Sequence, residues 1–415
     1  LADGLKSVSL SANWMWPCKN LGEDARLYSA VEACSNFACD LGINIPTGKD
    51  SLSMTQQYGD DKVFSPGTVI ISAAAEVSNI RRIVSPVMAY IKGTYLYYID
   101  FSFDAFKLGG SAFAQTMNKI GDEAPTVTDA EYFKNAFGAV QELVNRGLVL
   151  AGHDVSAGGM ITAMLEMCFA NTQGGLESRL DKIRHSDLIK ILFSENPGVL
   201  VQVKHHHLVE KILDDYGIGH AIVARPIEER KLIIEKDEFR KEFDIDVLRD
   251  TWYQTSYLMD QKQSGEEAAK SRFDNYKKQP LHFEFKDEFT GRFQEMGLNP
   301  DRKERSGITA AIIREKGTNG EREMAYALYL AGFDVKDIHM TDLTTGRETL
   351  EDVKMAVFCG GFSNSDVFGS AKGWAGGFLY NEKAKTSLQN FFAREDTLSL
   401  GVCNGCQLMM ELGLV

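Results

Sequence analysis

Apolar positions along this chain switch between a helical period and a strand period, and the switches divide it into four stretches. In the first, residues 22–41 place Leu27, Val31, Cys34, Ala38 and Leu41 four, three, four and three apart. That spacing is one stripe of a helix, and Gly42 ends it. LKSVSLSANWMWP before it reads as a strand and a turn at Pro17. INIPTGKDSLSM after it reads as a loop followed by a strand, and TVIISAAAEV, past the Pro66-Gly67 turn, as a buried strand.

In the second stretch, residues 76–228, YLYYIDF is a strand, LGGSAFAQTMNKIG a glycine turn opening a helix, and 129–146 a helix with Phe133, Phe137, Val140 and Val144 on one face. LVLAGHDVSAGGMITAMLEMCFA follows as strand, glycine-rich turn and helix. FSENPGVLVQV holds another strand, ahead of a helix near 206–216 and a strand at 218–224. Strands alternating with helices predict an α/β or α+β layer. Residues 229–304 change character: EERKLIIEKDEFRKEFDIDVLRD is highly charged and predicts a solvated face, 246–263 predicts a helix, and 264–305 reads as a polar linker. Residues 305–415 restart with ITAAIIR, EREMAYALYLAGF, a strand at 335–339, VKMAVFCGG, a helix near 382–394 and a closing strand and turn. This rhythm predicts a doubly wound parallel sheet. The expected units are therefore 1–75, 76–228, 229–304 and 305–415.

A length of 415 residues allows two or three cores, and 44% hydrophobic with 25% charged residues is ordinary globular material. A net charge of −13 argues against nucleic-acid or anionic-membrane partners. No run approaches the length of a membrane span, and LADGLKSVSL carries no signal-peptide pattern or initiator Met, so upstream sequence is expected. Seven scattered cysteines predict reduced thiols and a cytoplasmic setting.

The candidate chemistry sits in LSLGVCNGCQLMMEL, residues 398–412. Gly401-x-Cys403-x-Gly405 is the cysteine form of the strand-turn-helix elbow that holds a nucleophile out at its corner. CNGC is also a C-x-x-C pair, but no second pair or matching histidines supply four zinc ligands. Cys406 reads as a small core residue one turn into the helix. Gly360 and Gly361 end the preceding strand, so the amides of Gly361 and Asn404 are candidates for an oxyanion hole beside Cys403. In GHDVSAGG, Asp154 and Ser156 stand at a strand end before a glycine turn, where they fit either a Mg²⁺–phosphate site or a helix cap. TGKDS (Lys49, Asp50, Ser51) lacks P-loop spacing and reads equally as phosphate contact or polar loop. Gly109-Gly110-Ser111 resembles a phosphate-cradling turn but reads slightly better as a Ser N-cap, and Trp14 and Trp16 read as packing. His205, His206 and His207 read as a solvated helix start, because three consecutive side chains do not converge on one ion.

GGFSNSDVFGSAKGWA followed by LGVCNGCQLM resembles the class I glutamine amidotransferase domain of the large single-chain formylglycinamide ribonucleotide amidotransferases, the phosphoribosylformylglycinamidine synthase family. LSANWMWP, GEDARLYSAV, IPTGKDSLSM, LGGSAFAQ, GHDVSAGGM, LEMCFA, FSENPGVLVQV and RDTWYQTSYLMD agree in family order over almost the whole chain. The resemblance implies a second aminoimidazole-ribonucleotide-synthetase-like unit, a linker, and the first part of a flavodoxin-like glutaminase domain. It implies a ligase of purine biosynthesis with Mg²⁺ and ATP or ADP as cofactors. Formylglycinamide ribonucleotide, glutamine, ATP and the rest of the parent chain are the implied partners. By the same resemblance Cys403 is the nucleophile, Asp154 binds Mg²⁺ and Ser156 contacts nucleotide in an auxiliary site. The family pattern there is HD-x-S-D-G-G, and Ala157 replaces its second Asp. The triad His and Glu are expected beyond residue 415 and further Mg²⁺ ligands upstream of Leu1, so this chain alone is expected to be inactive. Two other readings remain: a non-catalytic nucleotide-binding or structural module, and a free-standing synthetase-like ATP-dependent enzyme fused to a Rossmann-like domain.

Overall fold

A computed structural model describes residues 1–278 and 288–415; part of the expected linker, 279–287, lies outside the described residues. The chain forms two compact units, each discontinuous in sequence. One comprises Leu1–Val8, Phe37–Ile43 and Ala75–His282, the other Ser9–Asn36, Asn44–Ala74 and Phe283–Val415.

The first strands are β1 (Ser9–Met15), β2 (Asn44–Ser51), β3 (Thr55–Tyr58), β4 (Asp61–Phe64) and β5 (Thr68–Ala74), with α1 spanning Glu23–Leu41. They make a three-stranded sheet in the order β2-β1-β5, parallel between β1 and β2 and antiparallel between β1 and β5, plus the hairpin β3-β4. Ala12, Trp14 and Trp16 form its core with Leu27 and Cys34 of α1, so the tryptophans pack as expected. β5 corrects the expectation of a buried strand. It is a sheet edge, and Val69, Ile70 and Ile71 are all exposed.

A seven-stranded sheet follows. Its strands are β6 (Tyr95–Asp100), β7 (Val149–Asp154), β8 (Gly175–Arg179), β9 (Gly198–Val203), β10 (His220–Ile227), β11 (Lys231–Lys236) and β12 (Phe239–Asp244). Their spatial order is β12-β11-β8-β10-β6-β9-β7, antiparallel except for β11 beside β8. The helices are α2 (Ala112–Thr116), α3 (Ala130–Asn145), α4 (Gly159–Phe169), α5 (Leu188–Phe193), α6 (His206–Asp215), α7 (Ile245–Ser264) and α8 (Glu266–Asn275). Alternate residues of β6 feed two cores: Leu96 and Tyr98 meet Met160 and Met164 of α4, while Tyr97 and Ile99 meet Ala136 and Leu143 of α3.

Two expectations change here. The charge run 228–242 is not one solvated face but the hairpin β11-β12, whose Leu232 and Ile234 point into the core. The polar stretch after residue 264 begins with α8, held to α7 by stacking of Tyr257 on Phe273 (centroids 4.6 Å), and the turn just past α8 adds the stacking of Tyr276 on Tyr253 (4.1 Å). A few rings replaced the continuous apolar stripe that signals a helix.

The C-terminal domain contains β13 (Thr309–Arg314), β14 (Thr318–Asn319), β15 (Asp334–His339), β16 (Val353–Phe358), β17 (Gly360–Gly361) and β18 (Leu398–Gly401). Its helices are α9 (Glu321–Leu330), α10 (Met340–Thr345), α11 (Lys372–Leu379), α12 (Glu382–Phe392) and α13 (Asn404–Glu411). The sheet is wholly parallel in the order β15-β13-β16-β18, and β14 pairs with β17 at its end. Ala311, Ile313 and Phe358 face one core and Ala310, Ile312 and Val357 the other, as a doubly wound sheet requires. The strand order reverses between β13 and β16, and in such sheets the crevice at the strands' carboxyl ends is where ligands sit. Both β17 and Cys403 lie at those ends.

Candidate active site

Cys403 joins β18 to α13 with φ 50° and ψ −106°, a conformation that non-glycine residues avoid. Holding it costs about 1–3 kcal/mol, which the surrounding packing must offset. The neighbouring glycines make that packing possible. A Cβ on Gly405 would stand 2.1 Å from the Phe358 carbonyl oxygen, and one on Gly401 would stand 2.8 Å from the Cys406 backbone. α13 therefore starts pressed against β16, and the exposed thiol is presented at the corner. Cys406, expected in the core, is exposed on α13 instead. Cys359, three residues past the middle of β16, is buried; burial and then the nearby Glu321 and Asp337 carboxylates push its thiol up to about 12, which makes it inert.

The loop after β16 lies beside the elbow: a Cβ on Gly360 would be 3.4 Å from that of Cys403. Asn404 is fully buried, and its carboxamide bridges the two segments. Its Oδ1 accepts from the Ser363 amide at 3.0 Å, and its Nδ2 donates to Gln407 Oε1 at 3.0 Å. The Phe362 amide donates to the Gly317 carbonyl and the Asn364 amide to that of Lys316. Gly361 has φ 100°, and Asn364, Ser365 and Asp366 follow in the left-handed region at φ 54°, 53° and 52°. The sequence reading found Gly361 and Asn404 through their backbone amides; it missed the Asn404 side chain and Asp366.

Asp366 is 3% exposed, and its Oδ1 is buried without a hydrogen-bond partner. Burial raises its pKa; the Ala371 amide, Ser51 hydroxyl and Asn404 side chain oppose this without cancelling it. The folded-state pKa thus lies above the unfolded value of about 3.9, so the carboxyl's favourable contribution is complete below that value and lost as pH rises through the folded pKa. Asp366→Asn is therefore expected to raise the melting temperature at neutral pH. The gain over the parent should shrink as the pH falls toward the carboxylate range. A gain that grows on acidification would show that the carboxylate is stabilising.

The second predicted cluster lies on the seven-stranded sheet. Asp154 ends β7 and is exposed, with Oδ1 3.4 Å from His153 Nδ1; His153 Nε2 is 3.4 Å from Glu166. Ser156 is exposed, and neither side chain caps α4, whose N-cap is Gly158. The cap reading of this turn therefore fails. The amides of Gly158 and Ala112, at the starts of α4 and α2, both donate to Glu195 Oε1, at 2.8 and 2.7 Å. Glu195 thus occupies the donors a phosphate would use. Among the described residues no group of three or more His, Cys, Asp or Glu side chains is arranged to hold a metal. Ser111 caps α2, accepting from the Ala114 amide at 3.2 Å, and the ring centroids of His206 and His207 lie 3.8 Å apart with the rings tilted by 43°. No helix among the described residues is long and apolar enough to cross a membrane.

Three segments match known domain families. Residues 1–76 match the FGAR-AT PurM_N-like domain, 106–237 the C-terminal domain of AIR synthase related proteins, and 308–415 the CobB/CobQ-like glutamine amidotransferase domain. Over 431 aligned positions the chain is 37% identical to a probable phosphoribosylformylglycinamidine synthase of Caenorhabditis elegans. The match takes in 99% of this chain and 32% of that protein, so the chain spans about a third of its relative's length. Among solved structures, PurLQS from Thermotoga maritima is 16% identical, with a TM-score of 0.43 over 59% of this chain and 38% of that one. T. maritima PurL complexed with ATP is also 16% identical, with a TM-score of 0.42 over the same shares. Along nearly its whole length, then, the chain resembles one part of a phosphoribosylformylglycinamidine synthase.

Proposed function

We propose that this chain is part of an ATP- and glutamine-dependent amidotransferase that converts formylglycinamide ribonucleotide to formylglycinamidine ribonucleotide. The observation that carries the glutaminase half is the strained, exposed Cys403 between two sterically required glycines, beside the loop of Gly361. In this reading the Cys403 thiolate attacks the side-chain carbonyl carbon of glutamine. A C–S bond forms, and the amides of Gly361 and Asn404 hold the resulting oxyanion. The C–N bond breaks as the nitrogen takes a proton, ammonia leaves, and water hydrolyses the thioester to glutamate. A general base moves the proton. At the synthetase site ATP phosphorylates the amide oxygen of the ribonucleotide, ADP departs, and ammonia displaces phosphate to give the amidine.

The full natural chain carrying this sequence tests the reading. Supplied with the ribonucleotide, ATP and Mg²⁺, it is expected to form amidine and ADP with either glutamine or ammonium as donor. Glutamate should appear only with glutamine. Product with neither donor contradicts the assignment.

Asp154 and Ser156 are proposed as one edge of an auxiliary nucleotide site, Ser156 contacting nucleotide and Asp154 giving one carboxylate toward Mg²⁺. Glu195 already holds the Gly158 and Ala112 amides, which leaves the Ser156 hydroxyl and the Asp154 carboxylate as the contacts this turn offers. Calorimetry of the full chain with ADP and Mg²⁺ should show Asp154→Ala binding about tenfold more weakly, the cost of one charge-assisted contact. Equal affinity would remove Asp154 from the site.

A further inference from the structure

The segment Lys49-Asp50-Ser51-Leu52 was open to a phosphate-binding reading, but its place in the fold gives it other work. Its glycine is committed to the sheet: a Cβ on Gly48 would meet the Ala12 carbonyl oxygen of β1. Past Gly48 the strand runs into the loop that flanks Cys403, in the same compact unit. The Leu52 amide donates to the Ser365 carbonyl at 3.1 Å. The Ser51 hydroxyl, on a residue only 5% exposed, lies against the Asp366 carboxyl. The Lys49 ammonium stands 4.7 Å from the centre of the Phe362 ring, within cation–π reach.

These contacts fall on Phe362, Ser365 and Asp366, all within five residues of Gly361. The loop is also tied to Lys316, Gly317 and Asn404, Gly361 pairs with Thr318 of β14, and the Ala371 amide lies against Asp366. Three successive left-handed non-glycine residues do not keep that conformation unaided; they persist only where surrounding contacts over-determine it. On one flank, residues 316–317 and Asn404 supply those contacts. On the other, the end of β2 supplies them, and that strand belongs to the segment matched by the PurM_N-like family rather than to the amidotransferase domain.

We propose that residues 49–52 are positioning residues for glutamine hydrolysis, holding the 361–366 loop so that its amide faces the oxyanion formed at Cys403. The glutaminase site is then completed by a strand from another domain, and movement of that strand changes hydrolysis without touching the nucleophile. This rests on the glutaminase reading above.

The test uses the full natural chain with Ser51→Ala, Lys49→Met and the conservative Ser51→Thr. For Ser51→Ala and Lys49→Met, kcat for glutamine hydrolysis is expected to fall about tenfold with little change in KM for glutamine, a loss on the scale of a misplaced rather than a missing donor. Amidine formation with ammonium as donor should stay at the parent level, and Ser51→Thr should recover most of kcat. Unchanged kcat in both variants overturns the proposal. So does a parallel loss of ammonium-supported synthesis, which marks a folding defect. If the parent chain itself hydrolyses no glutamine, or hydrolyses it equally after Cys403→Ala, the glutaminase reading fails and this inference falls with it; normal hydrolysis by the parent together with unaffected variants defeats the positioning role alone.

Discussion

Cys403→Ala in the full natural chain is expected to lower glutamine-supported amidine formation by about 10⁴-fold or more, the scale seen when a nucleophile is removed from a catalytic unit. That is about 5.5 kcal/mol of lost transition-state stabilisation. The size of the effect follows from the geometry. The thiol is exposed at a strained corner, while Cys359 nearby is buried and its thiol is pushed up to about 12. Cys406, one turn further on, is exposed but has no loop of glycine amides beside it in the proposed arrangement, and Cys406→Ala is expected to leave hydrolysis unchanged. Ammonium-supported synthesis should survive Cys403→Ala, because ammonia bypasses the elbow. Steady-state rates with each donor check all of this; a Cys403→Ala protein that still consumes glutamine would remove the residue from the chemistry.

Gly405→Ala should produce the largest loss of stability for the smallest change of atoms. The added methyl would stand 2.1 Å from the carbonyl oxygen of Phe358, a fully buried residue whose carbonyl also accepts from the Val402 amide. Backbone cannot rotate away as a side-chain tip can, so α13 must lift off β16. Overpacking of this kind ordinarily costs about 1–3 kcal/mol, and a backbone clash belongs at or above the upper end. The same displacement carries Asn404 away from the Ser363 amide, so glutamine hydrolysis should be lost together with stability. Gly376→Ala is the control. It lies within α11, where the new methyl meets nothing nearer than the Tyr380 ring at 3.8 Å, and replacing glycine inside a helix usually gains about 0.4–1 kcal/mol. Thermal melts and glutaminase assays on both variants measure the contrast; a Gly405→Ala protein as stable and active as the parent would contradict the elbow packing.

What was legible in the sequence was whatever leaves a periodic or sterically required trace. The stripe from Leu27 to Leu41 became α1, and the face of Phe133, Phe137 and Val140 became part of α3. The glycines around Cys403 marked the elbow because close backbone approach tolerates no Cβ there. Features made by distant partners left no such trace. Glu195 holds amides 37 and 83 residues away, and nothing in FSENPG points to either. Asp366 becomes special only when Ser51 and Asn404 enclose it. The hairpin β11-β12 was hidden by charge, since the outer residues of both strands outnumber the inward Leu232 and Ile234. β5 misled in the opposite sense: an apolar run signals a strand, but burial depends on what covers it, and here Ile70 and Ile71 remain exposed.

The central claim is that Cys403 forms a covalent γ-glutamyl thioester. It is tested most directly by mixing the full natural chain with isotopically labelled glutamine, quenching in acid during turnover, and mapping the label by peptide mass spectrometry. The label is expected on the peptide bearing Cys403, lost on treatment with hydroxylamine, and absent from Cys403→Ala. A label on another residue, or glutamate released with no labelled peptide at any quench time, would contradict the account.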